Sequence, residues 1–309
     1  MNDSIPLIGH QMRTMVQRFF TAEPLARFAE LFIEDKLAET IRFGQLTVIH
    51  YRMFGGHSDE VYEAAAAVEL FILASDILDD LQDQDAPHKP WMQAPQPVAI
   101  HVASALLTLS QQAMLSSAPS DAMRIALMEM MNRLLLQSAN GQMLDIMNEI
   151  VDEQSYLDMV KQKSATLLQL ACMTGVMLAG EPWNEVVAEY AAEIGIAAQI
   201  QNDLRDLLRW DDKSDFLQRK RTLLTLYLIE SEAEADCWIK EYFEGRISLE
   251  DVAMKRELFL ETCERTGTIL YGSVMSRMHY NRFEELVDSI QEISPWKSTF
   301  LHIINQKIA

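Results

Sequence analysis

Little in this 309-residue chain invites cross-linking, tight turning or strand pairing. It has three cysteines, Cys172, Cys237 and Cys263, an odd number without metal-ligand spacing. Neither a disulfide framework nor a zinc site is expected from them; they read as reduced thiols of a cytoplasmic protein. Glycine (11) and proline (9) are scarce, and four of the prolines crowd into residues 85–97. Long proline-free tracts with little β-branched alternation argue against a sheet and predict an all-α fold. Basic residues are few as well: 26 Lys and Arg stand against 46 Asp and Glu, a net charge of −20. That balance repels phosphate backbones and argues against a nucleic-acid partner. No uncharged apolar run reaches roughly 18 residues, so no transmembrane segment is expected. The start, "MNDSIPLIGHQMRT", lacks the basic and apolar regions of a signal peptide.

What the chain does have is helical periodicity. Such runs cover 10–22, 24–54, 58–82, 97–116, 119–138, 140–151, 153–180, 184–210 and 216–231, with more between 234 and 307. "FGGHSDE" (54–60) offers a Gly-Gly stop and then Ser58 or Asp59 as an N-cap. "DAPHKPWMQAPQP" (85–97) is expected to be a loop, and "SAPSDA" and "AGEPWNE" short turns. Without a linker or a repeat, the economical reading is one helical domain, 1–309, built around a central bundle.

One helix end is costly as it stands. "AAAAVELFILAS" predicts a helix buried almost all round, yet "DILDDLQDQD" follows it at once. Asp76, Asp79, Asp80 and Asp83 are three or four residues apart and share a face. Like charges at that spacing repel, and the helix dipole already disfavours anions at a C-terminus. A hard divalent cation such as Mg²⁺ would offset both costs. A second apolar helix, "YAAEIGIAAQIQNDLRDLLRWDD" (190–212), turns polar in the same abrupt way. There Gln199, Asp203 and Asp206 share a face and Asn202 adds a neutral oxygen. The basic cluster Lys213, Arg219, Lys220 and Arg221 follows, as either a solvated face or cations for a polyphosphate.

In this order the elements resemble the trans-isoprenyl diphosphate synthase (polyprenyl synthetase) superfamily. "ELFILASDILDDLQDQD" matches its first aspartate-rich motif at Asp79, Asp80 and Asp83, and "NGQMLDI" its GQxxD element at Gln142 and Asp145. "YLDMVKQKSATLLQL" is similar to the segment with its Lys-Thr pair, here Lys163 and Ser164. "AAQIQNDLRD" matches the second aspartate motif at Gln199, Asn202, Asp203 and Asp206, and "SDFLQRKRTL" the stretch after it at Lys220 and Thr222. The resemblance implies a class I isoprenoid synthase helical bundle with a central active-site cavity, and a homodimer. It implies three Mg²⁺ ions held by Asp79, Asp80, Asp83, Asn202, Asp203 and Asp206. Gln142, Asp145, Lys163, Gln199 and Lys220 are implied to bind substrate. Ala74 and Ser75, with Phe71 a turn deeper, are implied to wall a pocket for a C10–C15 chain. Asp79, Asp80, Asp83, Lys163 and Asp203 are the residues on which catalysis would rest.

The departures from the pattern concern the second substrate. Elongating members hold isopentenyl diphosphate with a Gly-Lys-x-x-Arg element, a histidine before the first motif and an Arg pair after it. Here "AETIRFGQ" leaves Arg42, the histidine position is Ile72, and "APHKPW" replaces the arginines, leaving His88 and Lys89. An allylic prenyl diphosphate is thus the expected substrate, with an acceptor other than isopentenyl diphosphate. "HYRMFGG", "LASDILDDLQDQD" with "HKPWM", and "KSDFLQRKRTLLTLYL" are similar to the ComQ-type pheromone-modifying isoprenyltransferases, which prenylate a tryptophan of a ComX-type precursor peptide. A synthase-like terpene cyclase, a prenyl diphosphate synthase and an inactive regulatory subunit are the alternatives.

Other features read as structural. The 18 methionines, as in "ALMEMMNRLLL", fit gap-filling core positions. Tyr51, Phe54 and Trp91 read as packing, and His50, His57 and His101 as structural or surface residues. Arg277 and Arg282 are expected on a solvated face.

Overall fold

The computed structural model describes residues 4–38, 43–84, 86–211, 214–290 and 296–308. Arg42, Asp85 and Lys213 lie outside them. In chain order the helices are α1 (Ser4–Phe19), α2 (Glu23–Ala38), α3 (Phe43–Met53), α4 (Val61–Asp83), the short α5 (Pro90–Gln93), α6 (Gln96–Ser117), α7 (Asp121–Met147) and α8 (Glu153–Val160). A π-turn, Lys161–Ala165, leads into α9 (Thr166–Leu178), α10 (Glu185–Leu207), α11 (Leu223–Ile229), α12 (Cys237–Phe243), α13 (Leu249–Ala253), α14 (Arg256–Thr266), α15 (Thr268–Ser289) and α16 (Trp296–Ile308). No strand occurs among the described residues, so the all-α expectation holds.

The apolar run before the aspartates becomes the centre of the bundle. Ala64–Val68, Leu70, Leu73 and Ala74 have no more than a trace of exposed surface, because α4 is enclosed by α1, α3, α6 and α9. α6 alone has the length and hydropathy of a membrane-crossing helix among the described residues, yet it lies along α4 with Val102, Ala103, Leu106 and Leu109 in the core. Most methionines of the first two helices and of 114–131 are buried, as gap-fillers should be. His50 is buried, with Nε2 2.5 Å from the Tyr190 hydroxyl, and burial lowers its pKa to about 4. A second apolar cluster gathers Tyr156, Ile200, Leu204, Phe216, Tyr242 and Phe259, and α10 runs from the first cluster into this one.

Local expectations needed several corrections. Glu60, not Ser58 or Asp59, precedes the first residue of α4; the Ser58 hydroxyl instead accepts from the Glu60 amide at 3.2 Å. The proline-rich loop contains α5, whose first residue is Pro90, a position where a missing N–H costs nothing. The expected break between 138 and 140 is absent, and α7 runs through it. The expected continuous helix 153–180 is interrupted by the π-turn. Residues 215–219 form turns and 220–222 are irregular, so α11 starts only at Leu223, where Thr222 and Thr225 make a reciprocal cap.

Candidate active site

The C-terminal end of α4 faces the C-terminal end of α7. Gln142 reaches from α7 to α4, donating from Nε2 to Asp79 Oδ1 at 2.6 Å. One turn on, Asp145 accepts from Lys163 Nζ at 2.5 Å and lies 3.5 Å from Lys220 Nζ. Lys163 Nζ is also 3.3 Å from Asp79. Two ammonium groups thus converge on one carboxylate between the acidic ends.

Each cation is placed by backbone that no periodicity announces. Lys163 sits within the π-turn, which Gly141 of α7 meets at backbone distance: a Cβ there would lie 2.2 Å from the Lys163 nitrogen. The Ser138 hydroxyl donates to the Lys163 carbonyl at 3.2 Å, and the Thr166 hydroxyl to the Gln162 carbonyl at 2.6 Å. Lys220 follows Arg219, a left-handed residue (φ 56°). Asn148, just after α7, ties that turn down by donating to the Arg219 carbonyl and accepting from the Arg221 amide at 2.7 Å. Arg219 lies over the Tyr242 ring and Arg221 donates to the Ile150 carbonyl, so both serve packing. Of the described members of the basic cluster, Lys220 is the one that faces the acids.

The second acidic end is wired through α10. Ser164 donates to Gln199, Gln199 to Asp203 Oδ1 at 2.8 Å, and the buried Tyr156 hydroxyl to Asp203 Oδ2 at 2.5 Å. Asn202 is exposed and accepts from Arg205, while Asp206 is 3.7 Å from Arg209. On α4, Asp80 turns to the other flank, where Oδ2 accepts from the Trp91 indole N–H at 2.7 Å. Ala74 is fully buried, and Ser75 donates to the Phe71 carbonyl at 3.1 Å.

Electrostatics follow from this wiring. Burial opposes charge on Lys220, but Asp145, Asp215, Asp83 and Asp203 outweigh it and raise its pKa. Burial likewise opposes charge on Lys163, and Asp145 and Asp79 overcome it. For Asp145, burial raises the pKa, and Lys163 and Lys220 more than reverse that, so it stays charged. Burial raises Asp203 and Asp215, with mutual repulsion adding to Asp215. Asp83 of one acidic end and Asp203 of the other both favour the charged form of Lys220.

Tyr156 and Asp215 are the site residues that sequence reasoning missed. Asp215 carried a signal, five residues before Lys220 in an otherwise basic stretch; Tyr156 carried none, because the π-turn shifts its phase relative to Lys163. Arg277 pairs with Glu284 along α15, and Arg282 pairs with Glu285 on α15 and with Glu189 of α10.

Comparison with known proteins bears on this arrangement. The polyprenyl synthetase family profile matches residues 40–259. The tryptophan prenyltransferase ComQ of Bacillus subtilis (strain 168) is 30% identical over 286 residues, covering 90% of this chain and 91% of its own. A short chain isoprenyl diphosphate synthase of Methanothermobacter thermautotrophicus is 26% identical over 265 residues, with 80% and 79% covered. The crystal structure of a geranylgeranyl pyrophosphate synthase shares the fold at a TM-score of 0.85, 19% identity and 99% and 98% coverage. With the profile spanning most of the chain and a relative matching along nearly its whole length, the protein belongs to the polyprenyl synthetase family and is an enzyme of prenyl transfer from allylic diphosphates.

Proposed function

We propose that the protein is a Mg²⁺-dependent prenyltransferase that ionises a C10–C15 allylic diphosphate and transfers the chain to a tryptophan of a small precursor peptide. The observation that carries the ionising half is the convergence of Lys163 and Lys220 on Asp145 between two acidic helix ends. Support for the acceptor comes from the ComQ relatives, which are named tryptophan prenyltransferases, together with the sequence departures after the first aspartate motif. A cytoplasmic homodimer is the assembly that goes with this reading.

The donor set suits magnesium. Among the described residues no three His, Cys, Asp or Glu side chains close around a point, because Gln142, Lys163, Trp91 and Tyr156 already hold the carboxylate oxygens. Magnesium needs no such cage, since it takes one or two carboxylates and completes its shell with phosphate oxygens and water. Asp79 and Asp83 on one side, and Asp203, Asp206 and Asn202 on the other, are oxygen donors of that kind, with Asp80 reaching them once it leaves Trp91. When bound, the metal supplies positive charge along the diphosphate as the C–O bond breaks.

The chain's own residues do the rest. Lys163 and Lys220 hold fixed charge against the leaving diphosphate, and Asp145 keeps both ammonium groups protonated and in place. Gln142 fixes the Asp79 carboxylate, and Tyr156 and Gln199 fix that of Asp203. In this reading Phe71 and Ala74, buried two to three turns before the end of α4, wall the prenyl chain and keep water from it.

Purified protein with Mg²⁺ and geranyl or farnesyl diphosphate is expected to release pyrophosphate, and to prenylate a tryptophan-containing peptide supplied with it. Asp79→Ala and Asp203→Ala should each lower turnover at least a thousandfold with an unchanged helical CD signal. Volatile terpenes from the protein alone would favour cyclisation instead, and an absence of pyrophosphate release under all these conditions would overturn the proposal.

A further inference from the structure

On the flank of α4 facing away from Gln142, a cavity of about 200 Å³ opens beside the first acidic motif, bounded by Asp76, Asp79, Asp80, Ala86, Lys89 and Trp91. Its cations are already engaged. Lys89 Nζ lies 2.8 Å from Asp35 of α2 and 5.1 Å from the centre of the Trp91 ring. Lys36, behind the wall, lies 2.6 Å from Asp76. Both lysine side chains are largely buried, at 13% and 11% exposed, so these short pairs are little screened by water. Trp91 itself donates its indole N–H to Asp80 at 2.7 Å. Among these residues carboxylates outnumber ammonium groups.

We infer that Asp35 and Asp76 determine acceptor specificity: by tying up Lys89 and Lys36 they close this cavity to an anionic second substrate and leave it to an uncharged aromatic one with an N–H to donate. The inference rests on the prenyl-transfer reading above and names the class of acceptor. Among the described residues Lys36 and Lys89 are each matched one to one, by Asp76 and Asp35, so a second diphosphate here would meet no net positive side-chain charge, which costs more the more the site is desolvated. An indole brings no charge, and its N–H can bond a carboxylate as Trp91 already does. In the transfer the allylic C–O bond breaks with its electron pair leaving on the diphosphate. The π pair of the ring forms the new C–C bond, and the proton displaced from the ring passes to a diphosphate oxygen.

Two measurements test this. Calorimetric titration of the metal-free protein with isopentenyl diphosphate is expected to show at least tenfold tighter binding for Asp35→Asn and for Asp35→Asn with Asp76→Asn. That gain should be lost when Lys89→Ala is added. With Mg²⁺, geranyl diphosphate and equal concentrations of isopentenyl diphosphate and a tryptophan-containing peptide, wild type should prenylate the peptide. The double variant should shift the partition at least tenfold toward the elongated diphosphate. Unchanged affinity and unchanged partition in variants with native helical CD would overturn the inference, as would efficient elongation by wild type. If wild type releases no pyrophosphate at all, the prenyl-transfer reading fails, while the titration still decides whether Asp35 and Asp76 block a diphosphate. Asp35, half-buried on α2, also serves as the variant least costly to folding.

Discussion

At the scale of single residues, Glu69 is the sharpest exception to its surroundings. It lies in "AAAAVELFILAS" at the heart of α4 with no exposed surface. Its Oε1 accepts the Gly44 amide at 2.7 Å, and its Oε2 is buried without a partner. Burial pushes its pKa up to about 7, against the opposing pull of Lys36 and the Gly44 hydrogen bond. The unfolded chain gives up this proton near 4.5, whereas the folded protein keeps it to about 7. This contribution to stability is therefore complete below pH 4.5 and is lost as pH rises to about 7. Glu69→Gln should remove that loss and exceed wild type above pH 7 by on the order of 1–3 kcal/mol. Urea midpoints at pH 5 and pH 8 check it; equal pH dependence in the two proteins would count against a buried, protonated Glu69. The sequence marks Glu69 as buried, since it lies inside an apolar helix, but its Gly44 partner is 25 residues away and visible only in the fold.

At the scale of elements, the decisive piece is where α7 crosses the π-turn. Residue spacing alone reads 153–180 as one helix and places a break near 139, and both readings fail for one reason. Gly141 lets α7 continue straight past the π-turn at backbone contact, and the π-turn's extra residue points Lys163 at Asp145 and Asp79. A methyl at 141 has nowhere to go, because its nearest neighbours are backbone atoms. Gly141→Ala should destabilise the protein by about 1–3 kcal/mol through overpacking. It should also lower kcat/KM by about a hundredfold, since α7 carries Gln142 and Asp145 with it. Thermal melts and steady-state kinetics measure both; wild-type kinetics would show that the crossing does not set the site.

At the scale of the whole molecule, the site joins two apolar clusters. Asp79 belongs to the helix at the centre of one, Tyr156 belongs to the other, and α10 and the π-turn run between them. A ligand held by both acidic ends should therefore stabilise the fold as a unit. Pyrophosphate with Mg²⁺ at a hundred times Kd is expected to add about 2.7 kcal/mol, seen as a rise of a few degrees in Tm that EDTA reverses. Mg²⁺ alone should do less, since Lys163 and Gln142 already engage Asp79. A Tm indifferent to both additions would argue against a ligand spanning the two ends.

By itself the sequence determined the helical class, the buried α4 and the pair of acid-rich helix ends, because each is local: periodicity, scarce glycine and proline, and like charges at three- and four-residue steps. It also placed Lys163, Gln142, Asp145 and Lys220 in the order of a known family. Only the tertiary structure decided which of these meet. Asp79 goes to Lys163 while Asp80, one residue on and about 100° round the helix, goes to Trp91. Tyr156, Asp215 and the Lys36–Asp76 and Lys89–Asp35 pairs join parts of the chain through non-local packing and the phase shift of a π-turn. Repeat spacing describes neither.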